Sequence, residues 1–227
     1  LKKGDLKAGK PAEPKADYSR SLTLYKKITR EFPDYEKLDE VVFRLGDGLW
    51  AAGKEAEAVP YFQQVVTKYK KSPYVAEAQL ALAEFFFMKD LFFAAQKKYE
   101  EILAMAAGKK VHNYALYKLA WTFYNLGGAD AANYRKSTDT FKKVIGNLED
   151  KTARSEIEFR DQAMKDIVIS LAEVPNGFEE TRDYFNRLGG KALMMKMLDR
   201  LAKYYLSQDK DEKAIAIFRY FIQLDPW

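Results

Sequence analysis

The sequence contains no cysteine, a single histidine and no long uninterrupted run of apolar residues. The lack of cysteine excludes disulfide bonds, and together with the lone His112 it excludes the usual zinc ligand set. His112 also has no convincing partners for a histidine-based catalytic triad. Because a membrane-spanning helix needs about 18 or more apolar residues, no transmembrane segment is predicted. We therefore expect no metal site and no catalytic residue, and the chain is not predicted to be an enzyme.

One short stretch has the spacing of a nucleotide-binding loop. Residues 48–54 follow the pattern G-x4-G-K. A phosphate-binding loop would continue with Ser or Thr and would follow a strand. Here Glu55 comes next and the preceding residues have helical periodicity. Gly53 is interpreted as a turn between two helices, so no cofactor is expected.

The positive charge is concentrated at the beginning of the chain. The net charge is +5, and residues 1–30 carry nine Lys or Arg against three acidic residues, which leaves −1 for the remainder (5 − 6). A nearly neutral remainder argues against nucleic-acid binding, although the basic leader leaves it open as a lesser alternative. Residues 1–16 are rich in Lys, Gly and Pro, which predicts a flexible basic linker. Because the sequence does not begin with Met and shows no signal peptide, we expect a fragment of a longer protein.

The stretch from Tyr114 to Gly128 predicts a helix that is apolar on two faces. One face carries Leu116, Leu119, Ala120 and Phe123, and the other carries Tyr114, Tyr117, Trp121 and Tyr124. Both sets follow the i, i+3, i+4, i+7 spacing of a helix. Such a helix must pack on more than one side.

The same pattern recurs along the chain. A leucine followed by a small residue, Gly or Ala, recurs with the small residue at positions 46, 83 and 120, at steps of 37. In a second signature, a small residue precedes an aromatic residue by four positions. These aromatic residues are Tyr25, Phe62, Tyr99, Phe141, Phe185 and Phe218. Repetition of this kind predicts an array of helix pairs rather than one compact core.

These two signatures resemble the tetratricopeptide repeat (TPR), a helix–turn–helix unit of about 34 residues. The resemblance covers roughly residues 18–226, and Pro33 and Pro226 stand where the late proline of the repeat belongs. It implies an all-α fold, a right-handed superhelical solenoid of antiparallel helix pairs. Residues 17–227 would form one half unit followed by five helix pairs. Gly189-Gly190 is expected to separate two of the helices.

The resemblance also implies a binding face, because the first helix of each TPR unit lines a concave surface. Tyr and Trp are enriched at interaction hot spots. Aligning the repeats predicts a protein-binding set of Phe43, Trp50, Phe87, Tyr114, Tyr117, Trp121 and Tyr124. Further along, the same face would carry mixed charge at Asp166, Ser170, Lys196, Asp199 and Lys203. The alternative is that these rings only pack against adjacent helices.

The predicted function is a non-catalytic scaffold that binds a partner protein or peptide on this concave aromatic face. The segments 25–35 and 114–127 are similar to TPR proteins of bacterial cell envelopes, of the outer-membrane-assembly, Tol–Pal-associated and gliding-motility types. This similarity implies a periplasmic or cell-envelope location, with the cytoplasm as the alternative. The last helix is unusually apolar, so self-association through Ile217 and Phe221 is the alternative function.

Overall fold

The computed structural model describes residues 17–105 and 111–224, and every regular element in these ranges is an α-helix. The predicted all-α fold is therefore confirmed. In chain order the helices are α1 (Ser19–Glu31), α2 (Leu38–Ala51), α3 (Glu55–Lys68), α4 (Val75–Met88), α5 (Phe92–Ala104), α6 (His112–Leu126), α7 (Ala132–Asn147), α8 (Arg154–Leu171), α9 (Gly177–Ser207) and α10 (Asp211–Leu224).

The described residues divide into two compact units, one that ends at residue 74 and one that begins at residue 75. In the first unit, α1 packs on α2 and α2 packs on α3. In the second unit, each helix from α4 to α10 packs on the next one along the chain. This consecutive packing is what a repeat array requires, because each pair buries its apolar face only against its neighbours. The predicted linker, residues 1–16, lies outside the described residues.

The residues of the second signature form the core. Its inner copies are at most 2% exposed: Ala58 and Phe62, Ala95 and Tyr99, Ser137 and Phe141, Thr181 and Phe185. Gly46 of α2 explains why a small residue is needed opposite the aromatic one. A Cβ atom at this position would lie 2.9 Å from Cε1 of Phe62, closer than van der Waals contact allows. The missing side chain lets α2 approach α3.

The aromatic residues of the outermost copies, Tyr25 and Phe218, are not buried. Helix α1 has no buried residue, and Phe218 of α10 is 38% exposed. The second-helix aromatic of a repeat fills the gap to the following pair, and no described helix follows α10.

The assignment of Ile217 to an exposed self-association surface is wrong. Ile217 is fully buried, and Phe221 is half-buried against the same core cluster. The reason is the helical spacing. Ala214, Ile217 and Phe221 follow i, i+3 and i+7, so they share the stripe of α10 that packs inward. The exposed apolar side chains of α10 are Ile215, Phe218 and Ile222.

Helix α9 contains a break at Gly189-Gly190, as the sequence predicts. Gly190 has φ +72° and ψ −172°, a backbone conformation essentially restricted to glycine. The break divides α9 into a first segment, residues 177–188, and a second segment, residues 191–207. The first segment is the partner of α8 in one pair, and the second segment begins the next pair with α10.

A cluster of one carboxylate and two cations joins α7 to the first segment of α9. Arg135 Nη1 lies 2.5 Å from Glu180 Oε2, and Lys142 Nζ lies 2.5 Å from Glu180 Oε1. Partial burial of the Glu180 carboxyl tends to raise its pKa, but the hydrogen bonds from Arg135 and Lys142 outweigh it and lower the pKa. Ionised Glu180 therefore stabilises the folded chain.

We predict that Glu180→Gln lowers stability at neutral pH by about 1 kcal/mol, the upper range for partly exposed ion pairs. Because the folded pKa of Glu180 is depressed, its contribution is present above the ordinary pKa of about 4.3 and is lost as pH falls through the lowered value. Thermal unfolding measured at neutral pH and at successively more acidic pH should therefore show a difference between variant and wild type that is full at neutral pH and shrinks as the pH falls below the ordinary pKa.

Glu158→Gln is the matched control, because the Arg154–Glu158 pair is highly exposed on both sides. It should change stability by less than about 0.5 kcal/mol at either pH. Equal effects of the two substitutions would contradict a special role for Glu180.

Candidate protein-binding surface

The first helices of the pairs in the second unit contact one another through side chains. Lys118 Nζ of α6 lies 3.1 Å from Glu84 Oε2 of α4, and the Tyr117 hydroxyl of α6 donates to Asp166 Oδ2 of α8 at 2.6 Å. Arg200 Nε, in the second segment of α9, donates to the Lys165 carbonyl oxygen of α8 at 2.9 Å. We call the surface formed by α4, α6, α8 and the second segment of α9 the first-helix face.

Tyr117 is held in place from several sides. Its ring packs on Phe141 and Phe159, with ring centroids 5.7 Å and 5.2 Å away. Gln162 Nε2 donates to Asp166 Oδ1 at 2.9 Å, which fixes the carboxylate that accepts from Tyr117. Burial and the hydrogen bond to Asp166 raise the pKa of Tyr117 to about 12, so the phenol remains a donor. Tyr117 stabilises the face and remains partly accessible to solvent.

Trp121 and Tyr124 are also half-buried. The Trp121 ring meets Phe141 edge-on at 5.7 Å and Tyr124 at 5.5 Å. The Tyr124 ring packs on Tyr134, and its hydroxyl lies 3.1 Å from the Tyr204 hydroxyl in the second segment of α9. The two rings therefore do the packing that the alternative interpretation assigned to them, and both residues remain partly accessible to solvent.

Tyr114 is the most exposed ring of the predicted set, at 41%. It stacks on Tyr117 with centroids 6.5 Å apart. It also lines a pocket of about 310 Å³ together with Leu148 and Phe159. An exposed ring beside a pocket and backed by a second ring is an arrangement suited to contact with a partner.

Phe87 is covered by a lysine. Lys118 Nζ lies 3.9 Å from the centroid of the Phe87 ring, a cation–π distance. The same ammonium group is paired with Glu84, so this end of the first-helix face combines a ring, a cation and an anion.

The two remaining predicted residues belong to the first unit. Phe43 is only 8% exposed, stacks on Tyr74 at 4.8 Å and packs on Phe62 at 5.9 Å. Its ring therefore offers little surface to a partner, which corrects the expectation from the repeat alignment. Trp50 is half-buried, edge-on to Phe62 at 6.2 Å.

A cleft on the first-helix face was only partly recognised in the sequence. It has a volume of about 430 Å³ and lies between α8 and the second segment of α9. The aligned repeats pointed to Lys196, Asp199 and Lys203, but not to Lys165, Arg200 or Tyr204. The spacing of Lys196, Arg200 and Lys203, which are i, i+4 and i+7 on one helix face, is the signal that could have revealed it. The cleft is lined by Lys165, Val168, Ile169, Lys196, Met197, Asp199, Arg200, Lys203 and Tyr204.

Two kinds of site are not found within residues 17–105 and 111–224. No group of His, Cys, Asp and Glu residues there could hold a metal ion. No helix in these ranges is both long enough and apolar enough to cross a membrane. The basic leader, residues 1–16, lies outside these ranges, so the structure does not bear on the nucleic-acid alternative.

Comparison with protein families identifies one repeat. Residues 40–72, which span most of α2 and all of α3, match the tetratricopeptide repeat family. No curated protein matches the chain. The matched repeat and the consecutive helix packing within each unit support a tetratricopeptide repeat protein with an all-α fold.

Proposed function

We propose that this chain is a non-catalytic scaffold that binds a partner protein or peptide on the first-helix face of its second unit. TPR repeats generally mediate protein–protein interaction, and repeat arrays use extended surfaces for this purpose. The observation that carries the proposal is the combination of the exposed Tyr114 ring with two open pockets on this face.

The fixed position of the aromatic rings favours binding. Side chains that are mobile in the free protein lose rotamer entropy when a partner immobilises them. Tyr117 and Trp121 are already held by ring packing and by the Tyr117–Asp166 hydrogen bond. Their accessible parts can therefore be buried by a partner at a low entropic cost. Packing and recognition are compatible roles for the same rings.

The test identifies the partner and then measures its affinity. A photo-crosslinking phenylalanine analogue at position 114 should trap the partner in native cells, whereas the same group at position 93 should not. Phe93 is the matched control, because it is 73% exposed and lies on α5, a second helix of its pair.

With the purified partner, Tyr114→Ala should weaken binding by about tenfold, the equivalent of about 1.4 kcal/mol, because a hot-spot ring is lost. Phe93→Ala should leave the affinity unchanged. Both side chains are exposed, so both variants should retain the helical circular dichroism of the wild type. Wild-type affinity in folded Tyr114→Ala would show that the first-helix face is not the binding site.

We further propose that this scaffold works within a bacterial envelope complex of the outer-membrane-assembly, Tol–Pal-associated or gliding-motility type. The support is the similarity of residues 25–35 and 114–127 to TPR proteins of that compartment. In native cells, the protein should then be released with the periplasmic fraction by osmotic shock. Recovery with the cytosolic fraction would instead favour the cytoplasmic alternative.

Self-association through α10 is a second candidate function. It is supported by the exposed apolar side chains of Ile215, Phe218 and Ile222, which line the outer face of the last described helix. A row of exposed apolar residues on one helix face is a candidate interaction surface.

For this candidate, the mass measured by sedimentation should rise with concentration in the wild type. The double substitution Phe218→Glu with Ile222→Glu should keep the chain monomeric, because carboxylates would have to be desolvated in the contact. Phe93→Glu is the control and should associate like the wild type. A wild type that stays monomeric at high concentration would eliminate this candidate.

A further inference from the structure

The cleft between α8 and the second segment of α9 carries a strong excess of positive charge. Lys165, Lys196, Arg200 and Lys203 line it, and Asp199 is the acidic residue among its lining residues. Asp199 Oδ2 lies 2.6 Å from Lys203 Nζ, so its charge is already balanced within the cleft. Three cations remain for a ligand, in a chain whose residues after position 30 sum to −1 (5 − 6). The local charge therefore differs in sign from that of the surrounding array.

These cations keep donors available for a ligand. Arg200 uses Nε to reach the Lys165 carbonyl oxygen, which anchors its side chain on α8 and leaves the other guanidinium N–H groups. Lys196 and Arg200 are exposed, while Lys165 is half-buried beside them. Lys196 and Arg200 supply donors on the α9 wall of the cleft, and Lys165 supplies donors on the α8 wall.

The floor of the cleft is aliphatic. Val168 and Met197 are buried, Ile169 is half-buried, and Tyr204 stands at the edge with its hydroxyl 3.1 Å from that of Tyr124. A cleft that combines cationic walls with an aliphatic floor suits a ligand with carboxylates flanking an apolar side chain. Single-stranded nucleic acid is recognised instead by several aromatic rings on which successive bases stack, and Tyr204 is the one aromatic residue among those that line this cleft.

We propose that this cleft binds an acidic segment of the protein partner, in which glutamate or aspartate side chains flank an aliphatic residue. The carboxylates would contact Lys196, Arg200 and Lys165, and the aliphatic side chain would pack on Ile169, the partly accessible aliphatic residue of the cleft. The proposal rests on the proposed function of the first-helix face and specifies the chemistry of the partner. It places the recognition of charge next to the aromatic residues of α6, with Tyr204 and Tyr124 as the link between them.

The experiment uses the full chain and a fluorescein-labelled peptide in which two leucines are flanked by glutamates, with both ends blocked. Binding is followed by fluorescence polarisation. The wild type should bind this peptide, with affinity falling as salt is added, and should bind the peptide with glutamines in place of glutamates at least about tenfold more weakly. Lys196→Glu with Arg200→Glu, two exposed cations that the ligand would contact, should weaken binding of the glutamate peptide by about tenfold or more.

Lys97→Glu with Lys143→Glu is the matched control. Both lysines are exposed and lie on second helices, α5 and α7, and the change in net charge is the same. This control should bind the glutamate peptide like the wild type. Circular dichroism and thermal unfolding should show both double variants to be folded.

Three outcomes would overturn the proposal. The first is equal loss of binding in the two double variants, which indicates attraction by net charge alone, and the second is no binding of the glutamate peptide to the wild type. The third is tighter binding of a single-stranded oligonucleotide than of the glutamate peptide, if the cleft substitutions abolish it. None of these outcomes affects the comparison of Tyr114→Ala with Phe93→Ala. The proposed binding role of the first-helix face and the proposed acidic ligand can therefore be refuted independently.

Discussion

Close approach of paired helices, with a small residue opposite a large one, is the constraint on which the other features of this protein depend. Gly46 makes room for Phe62, and alanine occupies the corresponding positions 83 and 120, both fully buried. At Ser137 the approach is reinforced by hydrogen bonds, because its hydroxyl lies 2.7 Å from both the Ala120 carbonyl oxygen and the Ser170 hydroxyl. Larger residues at these positions would separate the helices and with them the side chains of the first-helix face.

The first-helix face shows how one set of residues can stabilise a fold and present a surface. Tyrosine is suited to this, because its ring packs among apolar neighbours while its hydroxyl reaches a partner on another helix. The Tyr117–Asp166 and Tyr124–Tyr204 contacts join helices that are far apart in the chain. The surface that we propose for partner binding is consequently built from side chains already held by packing, which favours binding without rearrangement.

Much of the fold was predictable from the sequence because it is encoded locally. Helical periodicity and the glycine turns predicted the helices and the break at Gly189-Gly190. The partners of individual side chains were less accessible, because Asp166 lies far along the chain from Tyr117 and only the repeat geometry brings them together. The error at Ile217 has a similar origin. The second signature predicted that Phe218 faces the core and left Ile217 outside. In the structure, Ala214 and Ile217 face the core and Phe218 is exposed.

The glycine pair in α9 means that two successive helix pairs are joined without a loop. Elsewhere the repeat spacing varies through connections of different length, as between α7 and α8, but here two residues are the whole connection. An insertion or deletion at the glycine pair would rotate the second segment of α9, which forms one wall of the cleft, relative to the first segment. The other connections can change length without turning the helices that they join. Natural variation in length should therefore be tolerated at the other connections and strongly selected against at this one.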